Sequence, residues 1–79
     1  MTLRDLPKQA RARVIGFAPG DIGLETRLRE IGFAEGDDVE ILHYGLFGRN
    51  PMSVRLNGAL IAMRKNEAAS VTVEVIHHD

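Results

Sequence analysis

The sequence predicts a mainly β domain, a small barrel of five short strands with one α-helix between strands one and two. Two observations predict it. In the segment Asp21 to Ile31, the apolar Leu24, Leu28 and Ile31 recur at helical spacing on one face, while Glu25, Arg27 and Arg29 point away. Around it stand short runs of alternating polarity, two of them joined by Asn57-Gly58. That pair is a strong hairpin signal, because both residues tolerate positive φ and a type I′ turn matches strand twist. In a chain of 79 residues, five short strands point to one sheet curled on itself to remove its edges.

Each element follows in order. Ala10 to Phe17 alternates polar and apolar and then becomes continuously apolar, as a strand does when it passes from a half-exposed to a buried position. Pro19-Gly20 ends it, and the helix begins. Gly32 stands where a left-handed residue stops a helix, and Phe33 where an apolar side chain folds back onto the last turn. Glu35-Gly36-Asp37 reads as a tight turn into a second strand, in which Val39, Ile41 and His43 share one face. Gly45 to Pro51 breaks the pattern and reads as a loop. Met52, Val54 and Leu56 alternate in a third strand, Asn57-Gly58 turns, and Ala59 to Met63 forms a fourth. Arg64 to Ser70 is a polar connector with room for one helical turn, and Val71 to Ile76 closes the fold. The barrel is SH3-like or OB-like, and periodicity does not choose between the two.

Length and composition bound the rest. At 79 residues the chain is one domain, residues 1–79. Hydrophobic residues at 44% and charged residues at 27% place it with globular chains rather than disordered ones. There is no cysteine, hence no disulfide, thiolate nucleophile or cysteine zinc site. A net charge of −1 removes the electrostatic reason to expect a nucleic-acid binder. Charges near Met1 interrupt any signal peptide, and no run approaches the roughly 18 apolar residues of a membrane span. The expectation is a cytoplasmic protein, neither exported nor inserted.

Charge is unevenly spread: residues 1–29 carry +3, residues 30–42 carry −5 and the remainder +1. Solvated faces of neighbouring elements account for this, and the sharper reading is a docking surface for a charged partner.

The residues also resemble a known family. Arg27-Leu28-Arg29-Glu30-Ile31-Gly32-Phe33-Ala34-Glu35-Gly36-Asp37-Asp38-Val39 is similar to the "R-L-x-x-h-G-h-x-x-G-x-x-h" core of the ferrous iron transport protein A (FeoA) family, where h is apolar. Gly48 to Val54 resembles that family's "G-x-P-h-x-h" segment with one extra residue before the proline, and Ile61 to Ala68 resembles its "h-A-L-R-x-x-E-A". Leu3 and Leu6 fit its "L-x-x-L" start, whereas Pro7-Lys8-Gln9 departs from the glycine that often follows. The resemblance spans Thr2 to Val75. It implies an SH3-like barrel acting beside the membrane GTPase-permease FeoB in bacterial ferrous iron uptake. The same domain ends iron-dependent repressors, but a chain that begins at Met1 with no helix-turn-helix favours the free-standing form.

Chemistry is otherwise sparse. Ser53 and Ser70 lie in no nucleophile elbow, and Gly16, Gly20 and Gly23 lack the spacing of a phosphate-binding loop. The sequence therefore argues against an enzyme and calls for no cofactor. Imidazole suits iron(II), which directs attention to His43 and to His77, His78 and Asp79. Adjacent histidines in a strand face opposite ways, so a frayed tail explains His77 and His78, and no metal ligand is assigned.

Leu46, Phe47 and Met52 form an apolar patch in the loop before and after Pro51, the kind of surface that marks a contact. Together with Arg27 and Arg29 they are the expected partner-binding residues. The function this composes is a non-enzymatic accessory protein docking on the cytosolic part of a ferrous iron permease, with self-association as a further contact. The alternatives are a sensor or chaperone for divalent iron, using His43 or the tail, and a small nucleic-acid-binding barrel using Arg11, Arg13, Arg27 and Arg29.

Overall fold

In the computed structural model, which describes residues 1–48 and 50–76 and only the backbone of Leu46 and Phe47, a five-stranded antiparallel sheet carries the fold. Its strands are β1 (Arg11–Phe17), β2 (Asp38–Phe47), β3 (Asn50–Leu56), β4 (Ala59–Met63) and β5 (Val71–Val75). They lie side by side in the order β4-β3-β2-β1-β5. Helix α1 (Ile22–Ile31) joins β1 to β2, and a one-turn helix α2 (Lys65–Ala68) joins β4 to β5. This is the five-stranded, one-long-helix fold expected.

The strands form where alternation puts apolar side chains inward. Ala12 and Val14 of β1, Met52, Val54 and Leu56 of β3, and Val71 and Val73 of β5 are buried, and their neighbours face out. The Asn57-Gly58 turn has both residues at positive φ, 50° and 86°, and pairs Leu56 with Ala59. Three register shifts interrupt this regularity. One lies between Val14 and Gly16 against β5, and it leaves Ile15 49% exposed inside an apolar run that reads as buried. The others lie in β2 against β3, between Ile41 and His43 and between Tyr44 and Phe47. An extra residue in one strand shifts the side-chain phase by one, so Val39 and Ile41 face the core but His43, expected beside them, is exposed. Tyr44 packs against the core instead.

Helix α1 begins at Asp21, whose Oδ1 accepts the Leu24 N–H at 2.9 Å. It stops in a Schellman turn: Phe33 N–H donates to the Leu28 carbonyl at 3.1 Å and Gly32 N–H to that of Arg29 at 3.1 Å. Gly32 has φ +131°, a conformation that side-chain-bearing residues avoid. Phe33 is buried beneath the turn, as expected. The expected apolar face is narrower than its spacing suggests. Leu28 is fully buried and Leu24 half-buried, but Ile31 is 43% exposed. At about 100° per residue, Leu24 and Ile31 lie only about 20° apart, on the same flank of Leu28, so burial is centred on Leu28 and falls off toward that flank.

The N-terminus contributes an element with no sequence period, a 3₁₀ turn over Leu3–Asp5. The Asp5 carboxylate accepts from the Thr2 N–H at 2.9 Å and its hydroxyl at 3.2 Å. Leu3 and Leu6 are both buried in the common core. Thr2 bridges Thr72, and Val73 N–H donates to the Met1 carbonyl at 2.9 Å. The edges are therefore managed differently from the closed ladder expected. Among the described residues β4 and β5 are the outer strands, and the N-terminal segment covers β5.

Candidate docking site

Gly45 to Phe47 and Asn50 to Pro51, expected in a loop, lie in strands. β2 runs on to Phe47 and β3 starts at Asn50, so this stretch is the end of a hairpin. Gly45 is there for space. A Cβ on it would lie 2.5 Å from the Asn50 carbonyl oxygen and 2.7 Å from that of Pro51, closer than nonbonded atoms approach. Its role is the close passage of two backbones.

Behind the hairpin lies a cavity of about 110 Å³ lined by Arg4, Tyr44, Met52 and Lys65. Four elements build it. Arg4 comes from the 3₁₀ turn, Tyr44 from β2 beyond its bulge, Met52 from β3, and Lys65 is the first residue of α2. The Tyr44 hydroxyl donates to the Leu6 carbonyl, tying the hairpin to the N-terminal turn. Lys65 N–H donates to Asn50 Oδ1 at 3.2 Å, tying α2 to the start of β3. The turn of α2 is itself closed by Glu67, a buried carboxylate whose Oε1 accepts the Arg64 N–H at 2.8 Å. The "R-x-x-E-A" stretch of the sequence is thus a helix start.

Of the expected contact residues, Met52 is 1% exposed and belongs to the core, where strand alternation puts it, and it forms the floor of the cavity rather than a surface patch. The backbones of Leu46 and Phe47 stand at the hairpin end, and their side chains lie outside the described residues, as does Arg49. Arg27 and Arg29 sit on α1 and do not line the cavity.

Arg29 is engaged within its own fold. Its Nη1 and Nη2 donate to Glu35 at 2.8 and 3.1 Å, its Nε to Glu25 at 3.2 Å, and its guanidinium lies 4.5 Å from the centre of the Phe17 ring. These bonds push the arginine further up and hold the Glu35 carboxyl below its ordinary value. Arg29, expected as a partner contact, therefore also clamps α1 to the turn behind it and to β1. Arg27 is exposed on the same helix.

The signed stretches of the sequence interleave in space. Arg13 lies 3.9 Å from both Asp38 and Glu74, and Arg55 lies 3.3 Å from Glu40. A second cavity, about 230 Å³, is lined by Arg11, Asp38, Glu40, Arg55, Asn57 and Gly58, so its charges are of both signs. Basic residues 13 and 29 of the nucleic-acid alternative are thus flanked by carboxylates rather than gathered into one patch. For metal, His43 is exposed on β2, and His77, His78 and Asp79 lie outside the described residues. Among the described residues no three histidine or carboxylate side chains converge, and no helix is long and apolar enough to cross a membrane.

An antiparallel five-stranded barrel with its helix in the first long connection, a small cavity and a hairpin end is the architecture of an SH3-like module. Residues 1–75 match the FeoA domain family, and the chain belongs to that family. Among solved structures it is similar to a FeoA-like protein from Clostridium acetobutylicum at 27% identity and TM-score 0.87, covering 100% of this chain and 92% of that one. The FeoA protein of Chlorobium tepidum is 32% identical with a TM-score of 0.84, over 100% of this chain and 73% of that one. The zinc-complexed FeoA of Stenotrophomonas maltophilia is 33% identical with a TM-score of 0.81, over 94% and 89%. It is described as a prokaryotic SH3 domain protein and a possible ferrous iron transport activating factor. No curated protein sequence matches the chain.

Proposed function

We propose that this chain is a non-enzymatic cytoplasmic accessory protein of ferrous iron uptake, which docks on the cytosolic region of a FeoB-like GTPase-permease and supports or regulates transport. The observation that carries the reading is membership of the FeoA family along residues 1–75. The fold agrees with it, since an SH3-like barrel acts by presenting a surface, and the hairpin end with its cavity offers one. The docking face assigned is this hairpin end, which carries Leu46 and Phe47, and Arg27 on α1 is a further proposed contact.

A pull-down of the purified chain against the cytosolic region of the cognate permease, with and without guanine nucleotide, tests the proposal. Retention in at least one nucleotide state is the expected result, and no retention in either overturns it. Within a positive pull-down, Phe47→Ala combined with Leu46→Ser weakens retention while the melting temperature stays nearly constant, because tip side chains outside a core contribute little stability. A large fall in melting temperature would instead make them part of the barrel cap.

A further inference from the structure

We infer that the cavity between the 3₁₀ turn, the hairpin end and α2 is a recognition pocket for a carboxylate, filled in the complex by an Asp or Glu side chain of the protein partner. The occupant's being a protein rests on the docking reading above; its charge rests on the cavity.

Among the described residues the charged side chains that line that cavity are Arg4 and Lys65, both cations. Among the described residues neither forms an ion pair. The nearest candidate, Asp5, is committed to the Thr2 N–H and hydroxyl, which are the main reason its carboxyl is held low, with Arg4 a minor contributor. Glu67, on the same turn as Lys65, is turned inward onto the Arg64 N–H. In the second cavity, by contrast, arginines and carboxylates line the same concavity, with Arg55 paired to Glu40. The cavity of Arg4 and Lys65 departs from that pattern, and in a chain of net charge −1 two uncompensated cations at one concavity mark a place where an anion is favoured.

The rest of the lining selects among anions. Tyr44 and Met52 supply an apolar wall and floor, and the tyrosine hydroxyl is spent on the Leu6 carbonyl. A carboxylate on a methylene stem suits that lining: its charge meets the arginine fork and the lysine ammonium while its carbons lie on the ring and thioether. The volume of about 110 Å³ holds one such side chain, not a nucleotide. The pocket is also prebuilt, since the Tyr44–Leu6 and Lys65–Asn50 bonds fix three of its walls before any partner arrives.

The test has two arms. In the first, the purified chain is titrated with N-acetyl-glutamate, N-acetyl-glutamine and inorganic phosphate while backbone amide resonances are followed by NMR. The expected result is saturable shifts at Arg4, Tyr44 and Lys65 with the glutamate compound, at least tenfold weaker with its neutral isostere and with phosphate, and abolished in Arg4→Gln/Lys65→Gln. Lys65→Arg, which keeps the charge, retains the response. Absence of saturable shifts with N-acetyl-glutamate, an equal response to the glutamine compound, or tighter saturation by phosphate overturns the inference, whatever the permease does. The second arm repeats the permease pull-down with the double variant, whose melting temperature is measured alongside. Retention about tenfold lower at unchanged melting temperature is expected for desolvated charge contacts, and unchanged retention overturns the pocket as the docking contact. A positive titration with no retention of the parent chain refutes the permease reading and leaves carboxylate recognition standing.

Discussion

At the scale of single residues, Arg29 shows how one cation holds three parts of a small fold together, and the consequence is a defined response to acid. Glu35 titrates below its ordinary 4.5 because Arg29 donates two hydrogen bonds to it, and Asp5 below its ordinary 3.8 because Thr2 does. A carboxylate whose folded value is depressed stabilises the fold above its unfolded value and loses that contribution as pH falls through the folded one. Thermal melts should therefore be flat from pH 7 to about 5 and fall below pH 4.5. In Arg29→Met the Glu35 share of that fall disappears, so the variant melts lower at pH 7 but loses less on acidification; an equal loss would refute the clamp. Gly45→Ala places a methyl 2.5 Å from the Asn50 carbonyl oxygen, and the backbones must part. A loss of about 1–3 kcal/mol by urea unfolding is expected for such overpacking.

At the scale of elements, α1 is held through one side chain rather than three. Leu28→Ala should cost about 2–5 kcal/mol and Ile31→Ala under about 1 kcal/mol, since only the first empties a filled site. Comparable losses for the two would mean that the helix packs on its full apolar stripe. Glu67→Ala removes the acceptor for the Arg64 N–H and should cost about 1 kcal/mol, the usual worth of a helix start. Because α2 carries Lys65, the same variant should weaken the N-acetyl-glutamate response without removing a lining residue, and hydrogen exchange at Ala68 and Ala69 reports the loosened turn directly.

For the molecule as a whole, the first six residues are part of the barrel. Leu3 and Leu6 belong to the same buried cluster as β1, β3 and β5, and Met1 and Thr2 bond along the outer strand. In a domain whose net stability lies within about 5–15 kcal/mol, losing two fully buried leucines is a large fraction of the total. Removal of residues 1–6 should leave the chain unfolded by circular dichroism, and Leu3→Ala alone should cost about 2–5 kcal/mol. A truncated chain that melts like its parent would show that the N-terminus merely lies on the surface.

What the sequence by itself determined was everything written in local period and turn chemistry. Asn57-Gly58 set the β3–β4 hairpin, the alternation of Met52, Val54 and Leu56 set the buried face of β3, and Asp21, Gly32 and Phe33 set both ends of α1. The motif around Arg27 to Val39 carried the family, since it combines that helix stop with the turn into β2. Tertiary structure alone decided the rest. A bulge has no residue signature, so the phase change that turns His43 out and Tyr44 in could not be read from alternation. A three-residue 3₁₀ turn has no period, so the burial of Leu3 and Leu6 was invisible as structure. The candidate site belongs wholly to this second class. Arg4, Tyr44, Met52 and Lys65 come from four elements, and their grouping follows from how the N-terminus, the hairpin end and α2 meet, a relation between elements that no local pattern contains. The ion pairs follow the same logic: the sequence separates its charges into stretches, and strand pairing sets Arg13 beside Asp38 and Arg55 beside Glu40.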